Sequence, residues 1–82
     1  MVEVQIWGSL QAVTEGRATV EVAEAGNIRA LFTALARAYP GIEPHLDKGV
    51  SVSIDGQIFN DAWFEPIPEG SEVCILPRIT GG

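Results

Sequence analysis

The residues with the clearest capacity for chemistry are the two glycines at the end of the chain, Gly81 and Gly82. Glycine has no Cβ, so a Gly-Gly end is thin and can enter a narrow channel that any side chain would block. It also leaves a terminal carboxylate unshielded, as a reacting carboxylate requires. The alternative is a terminus that is glycine by chance, which should occur in roughly one chain in two hundred at an average glycine usage of about 7%. We therefore expect a reactive tail if the rest of the chain fits one.

The other side chains that could do chemistry do not form a catalytic arrangement. General acid–base catalysis needs paired carboxylates or a histidine in a cleft, whereas the single His45 lies in a segment after a predicted helix. Cys74 is flanked by two apolar residues, and nothing near it in the sequence would lower its pKa into the reactive range. One cysteine and one histidine at remote positions predict neither a disulfide nor a metal site. We expect a chain that is not catalytic alone and binds no cofactor.

Length and charge restrict the class of protein further. The 82 residues, 46% hydrophobic and 20% charged, predict one globular domain with a modest core. A net charge of −6 with scattered basic residues argues against nucleic-acid binding. The acidity fits a partner with a basic docking face, and it also simply keeps a small protein soluble. The apolar stretches are too short to span a membrane and the first residues do not resemble a signal peptide, so we expect a cytoplasmic protein without a membrane partner.

Hydrophobic periodicity predicts the elements that position the tail. Apolar residues recur at helical spacing after Asn27, a favourable N-cap, and Pro40-Gly41 ends this helix of about three turns. The segment with Ile42, His45 and Leu46 is predicted to be a loop. Alternation of apolar and polar residues predicts strands over residues 2–7, 18–22 and 50–54. The tight-turn pair Asp55-Gly56 leads into a short predicted strand at 57–59, and a last strand at 72–76 ends at Pro77.

These elements predict a two-layer α+β domain. A hairpin followed by a helix that covers one face of a single sheet is the economical arrangement for this order of elements. Residues 1–77 form the predicted domain, and residues 78–82 form a flexible C-terminal tail that ends in Gly-Gly.

Strand alternation also predicts an apolar patch beside the tail. The core-facing positions of the first and last strands are valine and isoleucine, which places Trp7 and Leu76 on the open face of the sheet. The tight turn before Ile58 places it on the same face. Exposed apolar patches of this kind mark protein interfaces. The alternative is that the loop with Trp63 and Phe64 folds over this face and covers it.

Four stretches carry a family resemblance: the Ile-Trp-Gly-Ser-Leu run that ends the first strand, the start of the helix, the turn into the last strand and the proline-containing tail. They are residues 6–10, 28–35, 69–73 and 76–82. Together they resemble the MoaD/ThiS family of ubiquitin-like sulfur carriers, and most closely its molybdopterin synthase small subunits. The resemblance covers the whole chain in order, although only the tail motif is specific. It implies a β-grasp fold with a mixed four- to five-stranded sheet and one main helix on one face.

The resemblance also implies the chemistry of the tail. An E1-like adenylyltransferase would join the Gly82 carboxylate to AMP with ATP and magnesium. A persulfide sulfur, supplied indirectly by a sulfurtransferase, would then displace AMP and leave a thiocarboxylate. The large catalytic subunit of molybdopterin synthase, in a heterotetramer with this chain, would receive the sulfur. The residues that would thread into the partners' active sites are Pro77, Arg78, Ile79, Thr80 and Gly81, and the docking residues would be Trp7, Ile58 and Leu76.

Three alternatives stay open at this level. Arg78 and the length of loop 60–68 differ from the molybdopterin branch, and other members of the family serve thiamine or cysteine synthesis or tRNA thiolation. A second alternative is a ubiquitin-like modifier, in which Gly82 forms isopeptide bonds to lysines of other proteins. The third is a β-grasp binding module whose terminal glycines are incidental.

Overall fold

The computed structural model describes residues 2–23 and 25–78. Its strands and α-helices are β1 (Val2–Ile6), β2 (Thr19–Val22), α1 (Ile28–Ala38), α2 (Glu43–Lys48), β3 (Val50–Ile54), β4 (Gln57–Phe59) and β5 (Glu72–Pro77). Two 3₁₀ turns, Gly8–Ala12 and Pro40–Ile42, follow β1 and α1. Among the described residues, no helix is long and apolar enough to cross a bilayer.

The strands form one mixed sheet in the order β2-β1-β5-β3-β4. β1 pairs antiparallel with β2 and parallel with β5, and β3 pairs antiparallel with both β5 and β4. The first and last strands are therefore neighbours, and β5, which leads into the tail, is the central strand. The predicted two-layer α+β architecture with a mixed sheet is confirmed.

The core lies between α1 and one face of the sheet. Asn27 caps the helix, since its side-chain oxygen accepts a hydrogen bond from the Ala30 N–H at 2.8 Å. The apolar stripe of α1 is buried against the inward valines and isoleucines of the central strands, which matches the predicted helical spacing. The fully or almost fully buried residues of this layer include Ile28, Leu31, Leu35, Val4, Ile6, Val73 and Ile75.

The prediction of a loop after the main helix is wrong. The residues of that segment form a 3₁₀ turn that buries Ile42 completely and then the short helix α2, whose first turn contains Pro44. A six-residue helix is too short to show the repeated apolar spacing that identified α1. Thr14 is a second surprise, because its hydroxyl is fully buried and donates to the Arg17 carbonyl at 2.9 Å, which closes the β1–β2 connection.

Candidate docking face and tail exit

The open face of the sheet, which α1 does not cover, divides into two ends with different chemistry. At the end where β1 begins, the registers bring three exposed acidic side chains side by side across three strands, an arrangement we call the acidic row. At the end where β1 and β5 finish, the outward residues are Trp7 and Leu76, the apolar pair. The acidic row consists of Glu21, Glu3 and Glu72.

Trp7 and Leu76 lie where strand alternation predicts them. The Trp7 N–H donates to the Ile75 carbonyl at 2.9 Å, which continues the parallel β1–β5 ladder by one residue. The Trp7 side chain is 52% exposed, whereas Leu76 beside it is half-buried. A half-exposed tryptophan next to the last strand is the kind of large apolar side chain that anchors protein interfaces.

Ile58 lies on the same face but does not join the apolar pair. It stands opposite Ser53 on the edge strand β4, as predicted, and is 46% exposed. Two strands separate β4 from β1, so Ile58 is three strand spacings, about 14 Å, from β1. The registers place it level with Gln5, two residues short of Trp7. The serines of β3 lie between Ile58 and Trp7. The open face therefore carries two separate apolar positions. Ile58 lies on the predicted face but not beside Trp7, and its docking role stays a prediction.

The loop with Trp63 and Phe64 lies on the other side of the molecule. The Trp63 ring packs edge-on against Phe32 of α1, with ring centroids 5.5 Å apart and planes at 83°. Backbone N–H groups of the first turn of α1 donate to the carbonyls of Trp63 and Glu65, at 2.8 and 3.1 Å. Phe64 lines the same helix side of the molecule and is 72% exposed. Trp63 and Phe64 therefore do not cover the open face, and that alternative is wrong. The loop reaches this face only at its first residue, where Asn60 Oδ1 accepts a hydrogen bond from Ser51 Oγ at 2.6 Å.

A groove of about 410 Å³ lies on this helix side between α1, α2 and the loop. Its lining is mainly apolar, with Phe32, Leu46 and Trp63 among its walls, and it includes neither a histidine nor a cysteine. His45 is half-buried on α2 and does not line the groove. The polar lining of the groove consists of Arg29, Thr33, Glu43 and Asp47.

The tail leaves the domain beside the apolar pair. Pro77, the last residue of β5, pairs with Val50 and packs beside Gly8, where a Cβ would lie 3.7 Å from the proline ring. Gly8 has a φ of +63°, which glycine adopts without strain and which turns the chain sharply after Trp7. The aromatic-glycine step that ends β1 thus brings Trp7 and the tail exit together.

Arg78 remains in contact with the domain after β5 has ended. Its guanidinium lies against Gly49, and its Nη2 donates to Asp61 Oδ1 at 2.5 Å. The predicted boundary between domain and tail at residue 78 stays a prediction, and the Arg78 side chain belongs spatially to the domain. The predicted roles of Ile79, Thr80, Gly81 and Gly82 fall on residues outside the described part of the chain.

Cys74 lies at the middle of the open face and is a poor nucleophile. Burial raises the pKa of its thiol, the nearby Glu72 carboxylate raises it further, and a hydrogen bond with the Trp7 side chain lowers it by a smaller amount. The thiol also donates to Gln5 Oε1 at 3.6 Å. Within residues 2–23 and 25–78, no group of three His, Cys, Asp or Glu side chains could hold a metal ion.

Comparisons with known proteins agree with this geometry. The model of the ThiS family matches residues 4–82. A chain of the BexX/CysO complex from Amycolatopsis orientalis superposes with a TM-score of 0.77 at 23% identity, covering 100% of both chains. SAMP1 from Haloferax volcanii superposes with a TM-score of 0.75 at 27% identity, covering 99% of this chain and 98% of SAMP1. No curated protein sequence matches significantly. The shared architecture is the predicted β-grasp fold.

Proposed function

Because this chain belongs to the ThiS family of ubiquitin-like sulfur carriers, we propose that it carries sulfur as a thiocarboxylate on Gly82 and delivers it in molybdopterin biosynthesis. The observation that supports the carrier role most strongly is the extent of the family match, which runs through the domain and the Gly-Gly tail to residue 82. The central strand β5 leads directly into that tail, next to an exposed tryptophan.

A carboxylate is a poor electrophile, and the proposed chemistry overcomes this by first converting it to an acyl-adenylate. An oxygen of the Gly82 carboxylate attacks the α-phosphorus of ATP in an E1-like adenylyltransferase with magnesium, and pyrophosphate leaves. A persulfide on a sulfur-donor protein then attacks the acyl carbon, and AMP leaves. A thiol of that donor cleaves the sulfur–sulfur bond and forms a disulfide, which releases the thiocarboxylate. Cys74 takes no part, because its raised pKa and its place on the sheet face keep it away from this exchange.

The open face is the proposed docking surface for both partners. The apolar pair, Trp7 and Leu76, would enter an apolar pocket beside the channel that receives the tail, and the acidic row would face basic residues of the partner. The partners are an activating enzyme and, in a heterotetramer, the large catalytic subunit of molybdopterin synthase. The similar chain in the BexX/CysO structure is part of a complex, which fits a carrier that works docked on another protein.

A second candidate function keeps the same chemistry and changes the acceptor. The two similar structures contain CysO and SAMP1, and neither is named as a subunit of molybdopterin synthase, so a carrier for thiamine, cysteine or tRNA thiolation stays a candidate. A ubiquitin-like modifier would use the same adenylate but would pass the Gly82 carbonyl to a lysine. These functions differ in the nucleophile that receives the activated tail.

Mass spectrometry of the protein co-expressed with its activating enzyme and a sulfur donor tests the proposal. We expect one oxygen to be replaced by sulfur at Gly82, and we expect no conversion when one alanine is appended after Gly82. Gly26→Ala is the matched glycine control, because a Cβ there meets open space at an ordinary φ. An unchanged mass, under conditions that convert a known carrier, would contradict the carrier function.

Reconstitution with the large subunit separates the pathways. The thiocarboxylated protein should transfer its sulfur to a pterin precursor in the presence of the molybdopterin synthase large subunit. Failure of this transfer with an intact thiocarboxylate would favour another acceptor. High-mass lysine conjugates that disappear on deletion of Gly82 would favour the modifier.

A further inference from the structure

We propose that Arg78 is a positioning residue, held on the domain by Gly49 and Asp61, which fixes the point from which the reactive tail extends. We call these three residues the tail clamp. This inference rests on the proposed function, because the reach of the tail matters only if Gly82 must enter the active sites of partners.

Gly49 provides the notch in which the guanidinium lies. It connects α2 to β3 with a φ of +102°, a conformation that strains any residue with a side chain. A Cβ at this position would lie 2.8 Å from Arg78 Nε and 2.9 Å from Cζ, closer than van der Waals contact permits. The missing side chain therefore does two things: it relieves the backbone and it makes room for Arg78.

Asp61 holds the outer end of the same guanidinium. Its Oδ1 accepts a hydrogen bond from Arg78 Nη2 at 2.5 Å, and the side chains are 61% and 30% exposed, respectively. An ion pair this exposed adds little to folding stability. The pair therefore matters more for where residue 78 is held than for how stable the domain is.

The clamp is built so that it can be released. Arg78 Nε is enclosed and has no hydrogen-bond partner among the described residues, so packing on Gly49 and one ion pair hold the guanidinium. An enclosed donor without a partner costs free energy, which partly offsets the contacts that the clamp makes. A partner could therefore draw Arg78 away without disturbing the strands.

Chain geometry gives the clamp a measurable consequence. Four residues follow Arg78, and four fully extended residues span at most about 14 Å. A fixed origin confines the Gly82 carboxylate to a smaller volume near the docked domain and so raises its effective concentration at the partner's site. Release of Arg78 would add one residue, about 3.4 Å, to the reach of the tail.

The first test compares adenylation kinetics of Asp61→Asn, Arg78→Ala and the double variant with the activating enzyme. We expect Asp61→Asn to raise KM about fivefold with unchanged kcat. Arg78→Ala should raise KM at least as much, because it also removes the packing on Gly49. The double variant should match Arg78→Ala, because Asp61 acts on the tail only through Arg78. Asp47→Asn and Arg37→Ala are charge-matched controls outside the clamp. An unchanged KM, or effects that add in the double variant, would overturn the proposal.

The second test measures reach directly. Deletion of Thr80 shortens the wild-type tail by one residue and should greatly reduce adenylation, and Arg78→Ala should restore part of it by freeing one residue. A purely structural or direct binding role of Arg78 predicts a further loss instead, and that outcome would refute the clamp.

Amide relaxation of the free protein separates this proposal from the function on which it rests. In Asp61→Asn, residue 78 should become more mobile on the nanosecond timescale, whether or not any partner adenylates the chain. Absence of adenylation in the wild type together with this change would refute the proposed function alone. An unchanged mobility of residue 78 would refute the clamp alone.

Discussion

The two ends of the open sheet face differ in chemistry, and each is energetically unfavourable in the free domain. At the acidic row, Glu3 stands directly between Glu21 and Glu72, and like charges in neighbouring cross-strand positions destabilise a sheet. At the apolar pair, Trp7 leaves half of its side chain in water. Neither arrangement stabilises the free domain, whereas both would be favourable when the domain is bound to a partner with a basic and apolar surface. The difference teaches that one end is suited to attracting a partner over distance and the other to holding it.

The largest effect should come from the apolar pair. Trp7→Ala removes the proposed anchor, and we expect KM for the activating enzyme to rise about 30-fold, the loss of a typical interface hot spot. Because the side chain is half-exposed, the free energy of unfolding should fall by only about 1 kcal/mol. Steady-state kinetics and urea unfolding measure the two quantities.

Ile58→Ala is the matched control for that variant. It removes a side chain of similar exposure from the same face, but from the edge strand, about 14 Å from β1. We expect its KM to change much less than that of Trp7→Ala. Equal effects of the two substitutions would mean that the partner covers the whole face evenly, and the contrast between an anchor and its surroundings would be lost.

A smaller effect is expected at the acidic row. Glu3→Gln removes the middle charge, so the free energy of unfolding should rise by about 0.5 kcal/mol at low salt. The gain should disappear at about 1 M salt, where the screening length is about 3 Å. The same substitution should slow association with a basic partner at low salt, which stopped-flow mixing measures.

Glu15→Gln is the control for this charge, because Glu15 is an exposed turn residue outside the row. If both substitutions change stability and association equally, only the net charge matters. The row would then have no local role.

The smallest effect concerns Cys74, which lies between the two ends. Because burial and Glu72 raise the pKa of its thiol, alkylation by iodoacetamide should be slow at pH 7. The rate should rise with pH until the pH passes that raised pKa. Glu72→Gln removes a repulsive charge, lowers the pKa and should speed alkylation at pH 8. Rapid alkylation of the wild-type protein at pH 7 would contradict this description of the face.

The sequence was sufficient for most of the fold because its strands follow a simple rule. Alternation identified the strands at 2–7, 18–22 and 50–54, and turn and proline signals bounded the other two. Trp7 and Leu76 were placed on the open face by the two-residue side-chain period of a strand, and Ile58 by the tight turn before it. Neither signal could show that Ile58 stands apart, because that separation depends on strand order. The helix α2 was not predicted, because six residues are too few to show a helical period of apolar residues.

The tail clamp could not be read from the sequence for a different reason. Gly49, Asp61 and Arg78 come from three separate segments, and none belongs to a recognisable motif. The antiparallel register that pairs Val50 with Pro77 is what brings Gly49 next to Arg78. The contact between this glycine and this arginine can therefore be predicted only when the register of the two strands is known.

The central place of β5 has a mechanical consequence for the tail. A partner that draws the tail into a channel pulls along β5, and β5 is hydrogen-bonded to β1 on one side and to β3 on the other. These hydrogen bonds run across the strand direction, so a pull along β5 loads both ladders in shear. The force is then distributed over many hydrogen bonds at once. A strand at the sheet edge, pulled sideways, would open one bond at a time. The domain can therefore transmit tension from its tail to its docking face without unravelling.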